Sequence, residues 1–128
     1  MNRQIIITAS LLGMLAVIAG AFGAHGLKNI IDAQALEVWH TAVQYQFYHV
    51  FALLFLSIFA KPNSRSVRAA YYLFTFGIVF FSGSLYLLSC RNLLGGEKLN
   101  FLGPITPIGG LLFILGWLAL ALAAIRNK

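Results

Sequence analysis

Residues 38–60 read VWHTAVQYQFYHVFALLFLSIFA, without a single Asp, Glu, Lys or Arg. A charged side chain at the centre of a membrane helix costs roughly 2.5 to 3.5 kcal/mol, and a spanning helix needs about 20 residues free of that penalty. This stretch therefore reads as a membrane span. Three others qualify on the same ground: residues 4–27, 69–90 and 99–125. The whole chain agrees with them. Of 128 residues, 60% are apolar and 9% charged, with a mean hydropathy of +0.85, far from the roughly 25% charged content of soluble domains. A soluble domain of 14.0 kDa would leave much of that apolar surface in water, because small domains bury only part of their area.

The charges gather in the intervals, residues 28–37, 61–68 and 91–98. Lys61-Pro62-Asn63-Ser64 joins a helix stop to turn chemistry, and Arg91-Asn92 with Gly95-Gly96 makes a second break, since proline cannot continue a helix and Asn and Ser compete for nearby backbone. Connections this short make consecutive helices antiparallel neighbours. The expected fold is thus an all-α membrane protein, a single domain over residues 1–128 forming an antiparallel bundle of four transmembrane helices. Arg3, Lys61, Arg65, Arg68, Arg126 and Lys128 fall on one side, and Lys28, Arg91 and Lys98 on the other. The positive-inside rule then puts both termini in the cytoplasm. Asp32, Glu37 and Glu97 lie outside, so the net charge of +6 concentrates on the cytoplasmic rim, where it suits anionic lipid headgroups. No basic run with interleaved aromatics points to nucleic acid.

The first span carries two sets of small residues at four-residue spacing, Ala9 and Gly13, and Ala16, Gly20 and Ala24, and small residues so placed let helix backbones approach closely in lipid. Whether they meet a helix of the same chain or of another subunit is open at this level. Residues 29–39, with Asp32 as a cap, read as a short amphipathic segment in the first external loop, with Trp39 anchoring it at the interface, or as a simple continuation into the second span.

The second span interleaves polar and aromatic side chains. On a helix, Thr41, Tyr45 and His49 share one strip, and His40, Gln44 and Tyr48 the adjacent one. Counting back from Ala60 at about 1.5 Å per residue places His49 roughly 16 Å from the cytoplasmic end, near the middle of a ~30 Å hydrocarbon core. Such a residue should face protein. The third span offers Ser82, Ser84 and Tyr86, and the fourth opens on Gly103-Pro104-Ile105-Thr106-Pro107-Ile108-Gly109-Gly110, where two prolines and paired glycines should break the helix start. Irregular backbone at membrane depth is tolerated only against protein or a polar cavity. The antiparallel order brings these groups and His25 into the outer half. The candidate ligand-binding cluster is therefore His25, His40, Gln44, Tyr45, Tyr48, His49, Ser82, Ser84 and Thr106.

Chemistry beyond binding finds no foothold. Cys90 is the only cysteine, and no span holds a carboxylate, an HExxH motif or a Ser, His and acid set. No catalytic residue, metal site or cofactor is assigned, and an enzyme is not expected.

Four ordered motifs carry a family resemblance: Gly20-Ala21-Phe22-Gly23-Ala24-His25-Gly26-Leu27, Thr41-Ala42-Val43-Gln44-Tyr45-Gln46 through Tyr48-His49, Phe81-Ser82-Gly83-Ser84-Leu85-Tyr86, and Ile105-Thr106-Pro107-Ile108-Gly109-Gly110. Together they resemble the YgdD/YwdK family of small membrane proteins, a domain-of-unknown-function group, across essentially the whole chain. The resemblance implies a multi-pass protein of the bacterial inner or plasma membrane and supplies no catalytic residue or substrate. The expectation is a structural or interaction protein, with membrane lipids as partners and a homo-oligomer in view. The alternative is a small transporter or channel subunit, or a lipid-binding protein, using the outer polar cluster.

Overall fold

A computed structural model describes residues 2–59 and 64–126. Among them every regular element is helical, and four helices are long and apolar enough to cross a membrane. The first is α1, Asn2–His25. It ends where Gly26 and Leu27 both donate their N–H groups back to the Phe22 carbonyl, at 2.7 and 3.0 Å.

The second, α2, spans Ala33–Phe59, five residues earlier than the charge-free stretch. Asp32 starts it: its Oδ1 accepts from the Ala35 N–H at 2.7 Å and its carbonyl from Leu36 at 2.9 Å, satisfying donors that a helix start leaves unpaired. Of the two readings of residues 29–39, continuation into the second span holds, and the amphipathic segment is not a separate element. From Ala33 onward it forms the first turns of the spanning helix, because a good cap followed by Gln, Ala, Leu and Glu gives the helix no reason to stop. Ile31, Leu36 and Trp39 pack together with buried Leu27 and Val43, so their apolar faces turn onto the bundle.

The expected Lys61-Pro62-Asn63 turn lies outside the described residues. After it, Ser64 caps α3, Arg65–Gly77, accepting from the Val67 N–H. The third span continues through a π turn, Ile78–Ser82, into α4, Gly83–Ser89. The Gly83 N–H reaches back five residues to the Ile78 carbonyl, the widened ladder of a π bulge. Nothing in the residue pattern announces this turn.

A short helix α5, Arg91–Leu94, and a 3-10 segment, Gly96–Leu102, precede α6, Ile105–Arg126. Gly95 and Gly96 adopt φ of 137° and 63°, which side chains other than glycine rarely tolerate. The fourth span was expected from residue 99. Its α-helix begins six residues later, since Pro104 stands just before it and Pro107 falls in the first turn, where a missing N–H costs nothing.

Helix α1 packs on α2, and α6 on α3 and the π turn. Fully buried Ala9 and Ala16 line the first contact, and a Cβ added to Gly13 or Gly20 would meet Val50 or Val43 at 3.4 and 3.6 Å. Ala9, Gly13, Ala16 and Gly20 of the α1 stripe thus meet a helix of their own chain, while Ala24 is exposed. In the second contact aromatic rings enter glycine notches: a Cβ on Gly116 would lie 2.7 Å from the Phe74 ring, and one on Gly77 2.6 Å from Phe113. At Gly109 the obstacle is backbone, with the Phe81 Cα 2.7 Å from such a Cβ. Only glycine lets α6 lie directly against the π turn.

Candidate functional site

The inward face of α2 positions the site. Trp39, Ala42, Val43, Gln46, His49, Val50, Leu53, Leu56 and Ser57 are all buried, at the three- and four-residue spacing of a single helix face.

His49 is 4% exposed. Its Nδ1 lies 2.7 Å from the Tyr45 carbonyl, and the Trp117 indole N–H donates to its Nε2 at 3.1 Å. A carbonyl accepts and an indole donates, so this geometry uses the neutral ring with its proton on Nδ1. The imidazole also stacks on Phe113, with centroids 3.6 Å apart and planes within 6°, and Phe74 lies 5.6 Å away. Both ring nitrogens are consumed inside the chain.

Gln46, 4% exposed, is consumed in the same way. Its amide N–H donates to the Leu12 carbonyl at 2.7 Å, and its Oε1 accepts from the Tyr86 hydroxyl at 2.6 Å, tying α1, α2 and α4 together. The Trp39 indole N–H donates to the Ala19 carbonyl at 2.8 Å, with its ring over Gly23, where a Cβ would sit 2.6 Å from the indole. Two side chains of α2 therefore bond to backbone of α1. The small residues of α1 leave those carbonyls uncovered.

The Ser82 hydroxyl, fully buried, donates to the Ala42 carbonyl at 2.8 Å. Ser84 and Thr106 pair hydroxyl to hydroxyl, joining α4 to the first turn of α6. Of the nine candidate residues, His49, Ser82 and Ser84 are buried and Thr106 is half-buried, but only Ser84 and Thr106 bond to each other. Tyr45 and Tyr48 are 38% and 54% exposed beside them. His25 is exposed at the end of α1, and His40 and Gln44 are exposed on the outward face of α2, so these three do not join the cluster. The strip bearing His40 and Gln44 faces away from the bundle.

Gln46, Tyr86, Trp39 and Trp117 complete the network and were not among the candidates. Gln46 shares the face of Ala42, Val43 and Val50 by three- and four-residue steps, a signal available in the residue pattern. Trp117 lies 68 residues from His49, and no local pattern pairs them.

Between α2 and α6 the bundle opens into a groove of about 700 Å³, lined by Tyr45, Tyr48, His49, Phe81, Phe113 and Trp117 with Pro107, Gly110, Leu111 and Ile114. Among the described residues, no group of three His, Cys, Asp or Glu side chains could hold a metal.

Four long apolar helices closed by buried polar bonds define a multi-pass α-helical membrane protein. Residues 19–110 match the family described as "Protein of unknown function (DUF423)", and the chain belongs to it. It is 46% identical over 124 residues to a UPF0382 membrane protein of Staphylococcus saprophyticus, covering 97% of this chain and 98% of that one. It is 44% identical over 126 residues to the UPF0382 membrane protein YwdK of Bacillus subtilis, covering 97% and 98%. A UPF0382 membrane protein of Haemophilus influenzae is 37% identical over 128 residues, covering 100% of this chain and 98% of the relative. No solved structure matches the chain.

Proposed function

We propose that this protein is a non-catalytic structural or interaction component of the bacterial inner or plasma membrane. Its internal polar groups serve as interhelical fasteners. The observation that carries this reading is the consumption of the buried polar side chains of the network: Gln46, His49, Ser82, Ser84, Trp39 and Tyr86 each bond to another helix of the same chain. A conduction path needs polar groups that exchange partners with a solute, and a set already satisfied offers none.

In this reading the four spans run alternately up and down. Support comes from paired positions that run in opposite senses: Gly13, Gly20 and Gly23 against Val50, Val43 and Trp39, and Gly77 and Gly116 against Phe113 and Phe74. Both termini then face the cytoplasm with Arg3, Arg65, Arg68 and Arg126, as the positive-inside rule requires. Asn92→Cys in a Cys90→Ser background would react with a membrane-impermeant maleimide on intact spheroplasts, whereas Arg65→Cys would react only after lysis. The reverse pattern overturns the orientation.

The functional test is flux. Purified protein in sealed vesicles loaded with a pH-sensitive dye should pass no more protons or small solutes than empty vesicles. Flux abolished by His49→Phe in a folded protein would replace this reading with a transporter.

A second reading rests on the groove between α2 and α6. Its largely aromatic and apolar lining, which includes the partly exposed Tyr45 and Tyr48, suits one lipid tail. Mass spectrometry of protein released from gentle detergent tests it: a retained lipid lost in Tyr48→Ala supports this reading, and bare protein rejects it.

A further inference from the structure

We propose that the outward face of α2 is the contact surface of a homodimer, with His40, Gln44 and Tyr48 meeting their own counterparts in a second copy. The inference rests on the interaction-protein reading above and names its partner.

His40, Gln44 and Tyr48 are exposed, one turn apart on the side of α2 opposite Ala42, Gln46 and Leu53. The apolar side chains that continue this face, Phe51 and Phe55, are also exposed. Counting from Phe59 at about 1.5 Å per residue puts Gln44 roughly 22 Å along the helix, within a ~30 Å hydrocarbon core. A primary amide facing lipid there has lost water and gained no partner, a costly state. Gln46, two residues on, shows the satisfied alternative, with both ends of its amide bonded.

The residue types point to a second copy as the occupant. Copies with the same orientation in a bilayer are related by a two-fold axis along the membrane normal, so every residue of a shared helix face meets itself at the same depth. A polar residue fits such a contact only if it both donates and accepts. Amide, phenol and neutral imidazole all do, and polar side chains at this depth are established fasteners between helices. A carboxylate or ammonium would meet its like, and no such group lies on this face between His40 and Phe59. Each Gln44 amide can give its N–H to the partner's carbonyl oxygen and accept one in return. Below it, Tyr48, Phe51 and Phe55 supply flat surface for packing.

The test is single-molecule photobleaching of fluorescently tagged protein diluted into lipid vesicles, with Cys90→Ser carrying single cysteines for crosslinking. The proposal expects two-step bleaching for the wild type, a fall in the two-step fraction of at least tenfold in apparent association constant for Gln44→Leu, and disulfide formation at Phe51→Cys but not at Ile114→Cys on α6. Circular dichroism of Gln44→Leu should match the wild type, so that loss of pairing is not loss of fold. One-step bleaching of the wild type at every protein-to-lipid ratio overturns the proposal, as does crosslinking through Ile114→Cys with Gln44→Leu indifferent. Either result leaves the flux experiment, and with it the fastener reading of the interior, untouched.

Discussion

Two glutamines two residues apart on α2 have opposite fates. Gln46 is buried and holds α1 and α4 through both ends of its amide, while Gln44 stands exposed on the far side of the same helix. The same split separates His49, locked between Tyr45, Phe113 and Trp117, from exposed His40. Side-chain chemistry is constant across each pair, so the difference lies in helix rotation, about 200° over the two residues that separate the glutamines and about 180° net over the nine that separate the histidines. Turned inward, a polar group in lipid becomes a fastener of the fold. Turned outward, it becomes a request for a partner.

The comparison can be broken most forcefully at His49. Its truncation to alanine removes a stacked ring and the acceptor of the Trp117 indole together, and loss of a large buried side chain costs about 2 to 4 kcal/mol. Reversible unfolding in bicelles, followed by circular dichroism, measures this. The corresponding change at His40 should leave unfolding within about 0.5 kcal/mol of the wild type, as expected of exposed positions.

A smaller effect is expected where the inner face seats on α1. Valine at Gly23 would press into the Trp39 indole and pull its N–H from the Ala19 carbonyl, an overpacking penalty of about 1 to 3 kcal/mol. In a Trp117→Phe background the Trp39 emission should shift to the red. An unshifted spectrum would mean that the indole does not depend on the Gly23 notch.

Smaller still is the Gln46 to Tyr86 bond. A double-mutant cycle with Gln46→Leu and Tyr86→Phe should give a coupling of about 0.6 kcal/mol and no more than about 1.7, the range for hydrogen bonds between membrane helices. Gln44→Leu should show no coupling to Tyr86→Phe and the smallest effect of the series on unfolding of the single chain. If Gln44 proved the more destabilising of the two glutamines, the assignment of inner and outer faces would be inverted.

Much of this was legible in the residues. The four spans follow from where charges are absent, and Asp32 reads as a cap. The small residues of α1 announce a close helix contact, though not which helix makes it. Legibility fails at three particular places. The amphipathic look of residues 29–39 left a separate element and a continuation of the second span equally open, because a loop and the first turns of a helix share the same residue types. The π turn at Ile78–Ser82 leaves no mark in composition, yet it ends on Ser82, which reaches α2, two residues before Ser84, which reaches α6. The candidate list chose Gln44 over Gln46 because polarity was weighed without the apolar face of Trp39, Val43 and Val50 that fixes which way the helix is turned.

What the sequence determined by itself is the solvent and the class: charge-free stretches of spanning length can be stable only in a bilayer, and within a bilayer the backbone must satisfy its own hydrogen bonds, so the chain is helical. What only the tertiary structure decided is which polar groups are paired. His49 with Trp117, Gln46 with Tyr86 and Leu12, and Ser84 with Thr106 are pairings between segments distant along the chain. They depend on the rotation of each helix about its axis, which packing against neighbours sets and local composition does not.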